Sequence, residues 1–338
     1  MAEKFSRWRD GSTGVAPFLV PLPAGNDQLP PVLQLVTVPV TVLLGAVRTL
    51  LVALLLLAHF VLVDGVLAVF SFAPPVYALL SRACNVSIAR LVLAVLGVVH
   101  IRVEAVQLRK TGRSPPTVPF SPRKGDLIVA NSSSYVDLLY LTFRFNPTFV
   151  LPVTSPTSSS KITGWRRVTL LTAILANGSL PETREGGETL DEVVKRAVGP
   201  VVLFPEATTS NNRALLKLAE LATPAGASAS PLRTFVLVFK YPAPTRLAPS
   251  LTYPIPTPSP LAGLVAHIYT LTSRLTPYTL TVRRLHPSEA PKLSTVPRKD
   301  EWDALADTLA ATGRLKKVGA LGWVEKGAFL EFRRVKGR

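Results

Sequence analysis

A chain of 338 residues can bury a full core and has room for one large domain or two small ones. Its 38 lysines and arginines against 21 acidic residues leave a net charge of +17, which implies an anionic partner, either nucleic acid or a bilayer surface. Aromatic residues make up only 7%, no zinc-finger, RNP or basic-zipper pattern occurs, and the 48% apolar content is concentrated towards the N-terminal end, so nucleic acid is excluded in favour of the bilayer.

Residues 1–30 are polar, rich in Gly, Pro and Ser, and are expected to form a flexible N-terminal segment. No apolar core directly follows Lys4, Arg7 and Arg9, which argues against a cleaved signal peptide. Residues 31–99 are almost wholly apolar and are expected to form a membrane-anchoring helical region, interrupted by Arg48, Asp64, Arg82 and Arg90. The uncharged run Thr49 to Val63 reaches only about 22 Å as a helix. Arg48 and Asp64 are therefore expected to snorkel to opposite interfaces, or the runs on either side of Arg48 to form a short re-entrant hairpin. Cys84, the only cysteine, lies in this apolar stretch, so neither an intrachain disulfide nor a multi-cysteine metal site is available.

From residue 100 to residue 290 short β-rich runs alternate with helical ones, the pattern of an α/β domain. Strands are expected over His100 to Val106, Leu127 to Ala130, Thr148 to Val153, Val201 to Phe204, Thr234 to Phe239 and, as the last, Tyr278 to Leu285. Helical spacing covers Tyr135 to Phe145 and Ala214 to Leu221, and Thr189-Leu190-Asp191-Glu192 is a capping box opening a further helix. The Pro-rich stretches Thr111 to Pro122 and Tyr241 to Pro260 are expected to be loops. In the last part, residues 291–338, Trp302, Leu305 and Leu309 share a helix face ended by Gly313. Beyond it basic residues interleave with Trp323, Phe329 and Phe332, a mixture that suits either a headgroup interface or a solvated tail with packed aromatics.

Two segments carry chemistry. Asn131-Ser132-Ser133-Ser134-Tyr135-Val136-Asp137 follows one expected strand, and Phe204-Pro205-Glu206-Ala207-Thr208-Thr209-Ser210-Asn211-Asn212-Arg213 follows another. Both resemble the paired blocks of the phospholipid/glycerol acyltransferases, which read N-H-x-x-x-x-D and F-P-E-G-T. The tract Phe143-Arg144-Phe145-Asn146-Pro147 to Val150, with Tyr253-Pro254-Ile255-Pro256, is similar to a fungal branch linked to oleoyl-CoA lysophosphatidate acylation. The resemblance runs from His100 to Leu285. It implies a mixed sheet flanked by helices behind N-terminal membrane-embedded helices. The activity it implies is acyl-CoA-dependent acylation of a lysophospholipid, at the endoplasmic reticulum or a lipid droplet surface with the active site towards the cytosol. Acyl-CoA is then a co-substrate, no cofactor or metal is bound, and anionic membrane lipid and lysophospholipid are the partners.

In that family a histidine, oriented by the aspartate, takes the proton of the acceptor hydroxyl. Here Asp137 fills the aspartate position beside Asn131, and Ser132 fills that of the histidine. A serine is no base near neutral pH, and three readings follow. Asp137, or a histidine from elsewhere with His100 the first candidate, serves as base; or positioning and thiolate release carry the rate; or the chain binds lipid without turning it over. In the second block Thr208, Thr209, Ser210 and Asn211 are expected to donate to the substrate phosphate, helped by backbone N–H groups where the next helix begins. Arg213 adds a charged contact, and Glu206 orients the loop or touches the acceptor hydroxyl. The family glycine is Ala207 here, a mild change at an ordinary backbone angle. Gly164-Trp165-Arg166-Arg167 falls in the interval of a third block, which makes Arg166 and Arg167 acceptor contacts unless they sit in a plain surface turn.

Overall fold

The structure is a computed structural model that describes residues 3–23, 31–109, 118–156, 158–222, 229–245, 248–257 and 259–336. The expected loop from Thr111 falls largely outside these residues. The long apolar helix α1 (Pro31–His59) leads through two irregular helical turns (Phe60–Gly65 and Val66–Phe72) to α2 (Pro74–Val95) and β1 (Val98–Val106). Then come β2 (Leu127–Ala130), α3 (Tyr135–Phe145), β3 (Thr148–Ser155), β4 (Ser158–Val168), α4 (Leu170–Leu175), β5 (Glu182–Thr183), α5 (Leu190–Arg196) and β6 (Val201–Leu203). The short β7 (Ala214–Leu215) and β8 (Pro231–Leu232) precede β9 (Thr234–Lys240), α6 (Pro260–Thr272), β10 (Tyr278–Leu285), β11 (Leu293–Ser294), α7 (Lys299–Gly313), β12 (Lys316–Lys317) and α8 (Trp323–Lys336).

The central sheet is mixed, in the order β1-β10-β9-β2-β6-β3-β4, with β5 beside β3. Its inner strands β9, β2, β6 and β3 run parallel, whereas β10 against β9 and β4 against β3 are antiparallel. All four residues of β2 are buried because both faces of the sheet are covered. Ile128, Val202, Phe235 and Leu237 pack towards α2, α3 and α6; Leu127, Val129, Leu203, Val236 and Val238 pack towards α5 and α7. The α/β expectation and the mixed, helix-flanked sheet hold.

Helix α1 runs unbroken through Arg48, so no hairpin forms there. The chain turns back only after His59. The Arg48 guanidinium donates to the carbonyls of Thr272 and Arg274 at the end of α6, at 3.4 and 3.0 Å, where a helix leaves acceptors unfilled. The side chain of Asp64 lies outside the described residues. Thr37–Val63 is one stretch long and apolar enough to cross a membrane, and only 11% of its most apolar window is buried. Leu43, Leu50, Leu54, Leu57 and Phe60 are each more than half exposed. A buried core helix is thereby excluded, since leaving each such side chain in water forfeits about 1.5–3 kcal/mol.

Four expectations need correction. Residues 3–23 are packed: Trp8 and Phe18 are buried against Phe329 and Leu216. The run Ala214 to Leu221 is no helix but β7 followed by extended chain. Gly164 to Arg167 lies in strand β4, not in a turn, and two short strands follow β10. The C-terminal tail, by contrast, follows the second of its two expected settings, with Trp323 and Phe329 packed into the protein.

Candidate functional site

Strands β2 and β6 are neighbours, parallel and in register from Leu127↔Val201 to Val129↔Leu203, so the two blocks leave the sheet side by side at its carboxyl edge. Open α/β sheets place their ligands at that edge. The blocks are joined directly. Ser132 donates its N–H to Glu206 Oε2 at 3.1 Å, and Ser210 donates its N–H to the Ser132 carbonyl at 3.0 Å.

Asp137 is wholly buried and closes a capping box at the start of α3. Its Oδ2 accepts from the N–H groups of Ser133 (2.8 Å) and Ser134 (3.0 Å), and its Oδ1 accepts from the Tyr241 hydroxyl. Burial pushes its carboxyl up to about 7, against those three hydrogen bonds. Glu206 is also sealed, with its oxygens accepting from Ser132 and, at 2.8 Å, from Leu216 N–H. Burial raises it to about 7 as well. Of its two expected roles the geometry supports orienting the loop, since both oxygens are committed to backbone.

A cavity of about 220 Å³ opens at this edge, lined by Ser132, Arg166, Asn177, Thr208 and Thr209 on its polar side and by Leu138, Phe149 and Phe204 on its apolar side. The hydroxyls of Thr208 and Thr209 are already spent, donating to the carbonyls of Ser179 (3.1 Å) and Tyr253 (2.9 Å). The backbone N–H groups of these two threonines have no acceptor among the described residues. No helix begins here, but free N–H groups are present all the same.

The remaining expected residues divide. Asn131 is a brace, exchanging hydrogen bonds with Phe239 on β9, and Ser210 turns its hydroxyl to the Ala214 carbonyl. Asn211 is taken up by the N-terminal segment, donating to the carbonyls of Ala16 and Leu19, both at 2.9 Å. Arg213 is exposed and does not line the cavity. Arg166 lines it, whereas its strand neighbour Arg167 points away to Glu188. His100 is exposed on β1, separated from β2 by β10 and β9.

The cation that does reach the second block is Lys326 of α8. It is wholly buried, and its Nζ donates to Thr208 Oγ1 (2.8 Å), the Thr209 carbonyl (2.9 Å) and Thr209 Oγ1 (3.2 Å). Burial lowers it to about 7, opposed by the charge of Glu206. The sequence carries a sign of it: Lys326 interrupts the stripe Trp323, Phe329, Leu330 at helical spacing. Tyr241 and Asn177 left no comparable sign.

Ala207 adopts a φ of 54°, in the left-handed region where glycine is at home. The change from the family glycine is therefore not mild. Ala207→Gly should raise stability by about 1 kcal/mol, read as a higher thermal midpoint without loss of secondary structure.

No family model matches the chain, and no solved structure matches it. A Schizosaccharomyces pombe protein named "Putative lysophosphatidic acid:oleoyl-CoA acyltransferase" is 29% identical over 259 residues, 75% of this chain and 77% of that protein. The chain is similar to this fungal protein over three quarters of its length. The alignment is longer than the two blocks and the domain between them, so the kinship does not rest on the short motifs alone. Against the two blocks that the sequence resembles, Ser132 and Ala207 are departures, and Phe204, Pro205, Glu206 and Thr208 match.

Proposed function

We propose that this chain transfers an acyl group from acyl-CoA to the free hydroxyl of lysophosphatidate, giving phosphatidate and CoA. The observation that carries this reading is the cavity where the two blocks meet, with an apolar wall on one side and unfilled donors on the other. In the reaction the acceptor oxygen bonds to the thioester carbonyl carbon, the C–S bond breaks, and the hydroxyl proton ends on the departing thiolate. A thiolate leaves readily, so alignment of the two substrates supplies much of the rate without a strong base. Asp137 is sealed and its oxygens are engaged, which favours this route over direct proton removal by that carboxylate. Backbone N–H groups of Thr208 and Thr209, with the Lys326 ammonium behind them, would face the acceptor's phosphate.

A second cavity of about 430 Å³, lined mostly by apolar side chains, lies between α1, α2, α3 and α4 and shares Phe149 with the first, which offers room for part of an acyl chain. The exposed apolar length of α1 supports work at a membrane, with the endoplasmic reticulum or a lipid droplet as the proposed place. Its attachment to α6 through Arg48 and Thr49 favours lying along the domain in one leaflet. Purified full-length protein in phospholipid vesicles, given oleoyl-CoA, should release CoA in proportion to added lysophosphatidate. Release no greater than from denatured protein would favour a lipid-binding role without turnover.

A further inference from the structure

The polar wall of the cavity at the ends of β2 and β6 is built from donors that lack acceptors. Asn177 Nδ2 and Arg166 Nε are both buried and unpartnered, and both residues line the cavity with Thr208 and Thr209, whose N–H groups are also free. The loop bearing Asn177 is fixed to the second block. Thr208 donates to the Ser179 carbonyl, and Gly178 (φ 83°) sits so close that an added Cβ would lie 3.3 Å from Thr209 Oγ1 and 3.2 Å from the Tyr253 carbonyl. Asn177 is thus held beside the threonines by close packing and a left-handed backbone that disfavour a side chain at position 178. The one acid in the wall, Glu182, is already paired with Arg166 at 2.9 Å, and Lys326 stands behind the threonines.

We infer that Asn177 sets headgroup specificity, its amide joining Arg166 and the two backbone N–H groups around a terminal phosphate monoester. This rests on the acceptor being a lysophospholipid. A monoester offers three terminal oxygens, all acceptors, to a wall of donors. A phosphodiester offers two, and its choline or ethanolamine cation would meet Arg166 with no unpaired carboxylate in the wall to receive it. The wall therefore selects lysophosphatidate against zwitterionic lysolipids.

The test uses the full chain in vesicles, with lysophosphatidate and lysophosphatidylcholine as separate acceptors. Asn177→Asp keeps the shape but turns a donor into a charged acceptor. It should raise KM for lysophosphatidate about 10- to 100-fold, the range for a lost hydrogen bond to a charged group, while KM for oleoyl-CoA stays within about twofold. The preference for lysophosphatidate over lysophosphatidylcholine should fall by a similar factor, and Asn177→Ala, which adds no charge, should show the same trend at about tenfold. An unchanged KM and preference in both variants overturns the assignment. If the wild type releases no CoA with either acceptor, acyl transfer itself fails, and direct binding of the two lysolipids then decides. Phosphate-selective binding lost in Asn177→Asp supports the contact; equal binding by both proteins overturns it.

Discussion

Ser132→His should raise the acyl-transfer rate little by itself, and by about 100-fold or more when Tyr241→Phe is made in the same chain. An imidazole at position 132 works as a base only if a carboxylate fixes its tautomer and stabilises its charge. The carboxylate is present, four residues on, but Asp137 Oδ2 is filled by the Ser133 and Ser134 N–H groups and Oδ1 by the Tyr241 hydroxyl. Removing that hydroxyl frees one oxygen without opening the helix cap. The four proteins of the cycle, compared by kcat for CoA release at saturating lysophosphatidate, isolate the coupling between the two positions. Full activation by Ser132→His alone would show that Tyr241 is no obstacle. No activation in the double variant would show that a missing base does not limit the rate. Tyr241→Phe alone should leave Asp137 less well satisfied and the protein modestly less stable, and thermal unfolding controls for this.

How far the sequence could be read depended on whether a feature was set by neighbours in the chain or by distant ones. Strands β2, β6 and β9 were legible because strands buried on both faces are continuous apolar runs between turn residues. Helix α3 announces itself through the spacing of its apolar residues and α5 through its capping box, which is present in the structure. The run Ala214 to Leu221 misleads because its apolar residues fit a helix as well as extended chain. What decides against the helix is remote: Leu216 N–H goes to Glu206, Lys217 N–H to the Leu321 carbonyl, and Ala219 N–H to the Pro205 carbonyl. Strand β4 is polar because it lies at the sheet edge, with Gly164 pressed against Gly187 at a distance no side chain would allow. At the candidate site the meeting of the two blocks was legible, because two parallel neighbouring strands carry them to one edge. The cation was not. Arg213 is adjacent in sequence yet points outward, while Lys326 arrives from more than a hundred residues away on a helix packed by the N-terminal segment.

Lys326→Met should alter the dependence of stability on pH in a way that reports on the charges sealed beneath the second block. The Lys326 ammonium is held down to about 7 in the folded chain, below its ordinary value of 10.5. A cation with a depressed value contributes stability that is present above the unfolded value and lost as pH falls through the folded one. The thermal midpoint of the wild type should therefore gain from this group between about pH 7 and pH 10.5, and the variant should lack that gain. Asp137 and Glu206 act in the opposite direction. Both are raised to about 7, so their contribution is full below their ordinary values of 3.8 and 4.5 and is lost as pH rises through 7. In the variant Glu206 loses the ammonium that draws it down, and its part of the fall should move to higher pH. Three acceptors, Thr208 Oγ1, Thr209 Oγ1 and the Thr209 carbonyl, also lose their donor, at a cost of about 1–3 kcal/mol near pH 6 where the ammonium is charged. Thermal unfolding of the two proteins in the same detergent from pH 4 to pH 10 measures this directly. Superimposable profiles would mean that Lys326 is not the charge buried behind Thr208 and Thr209.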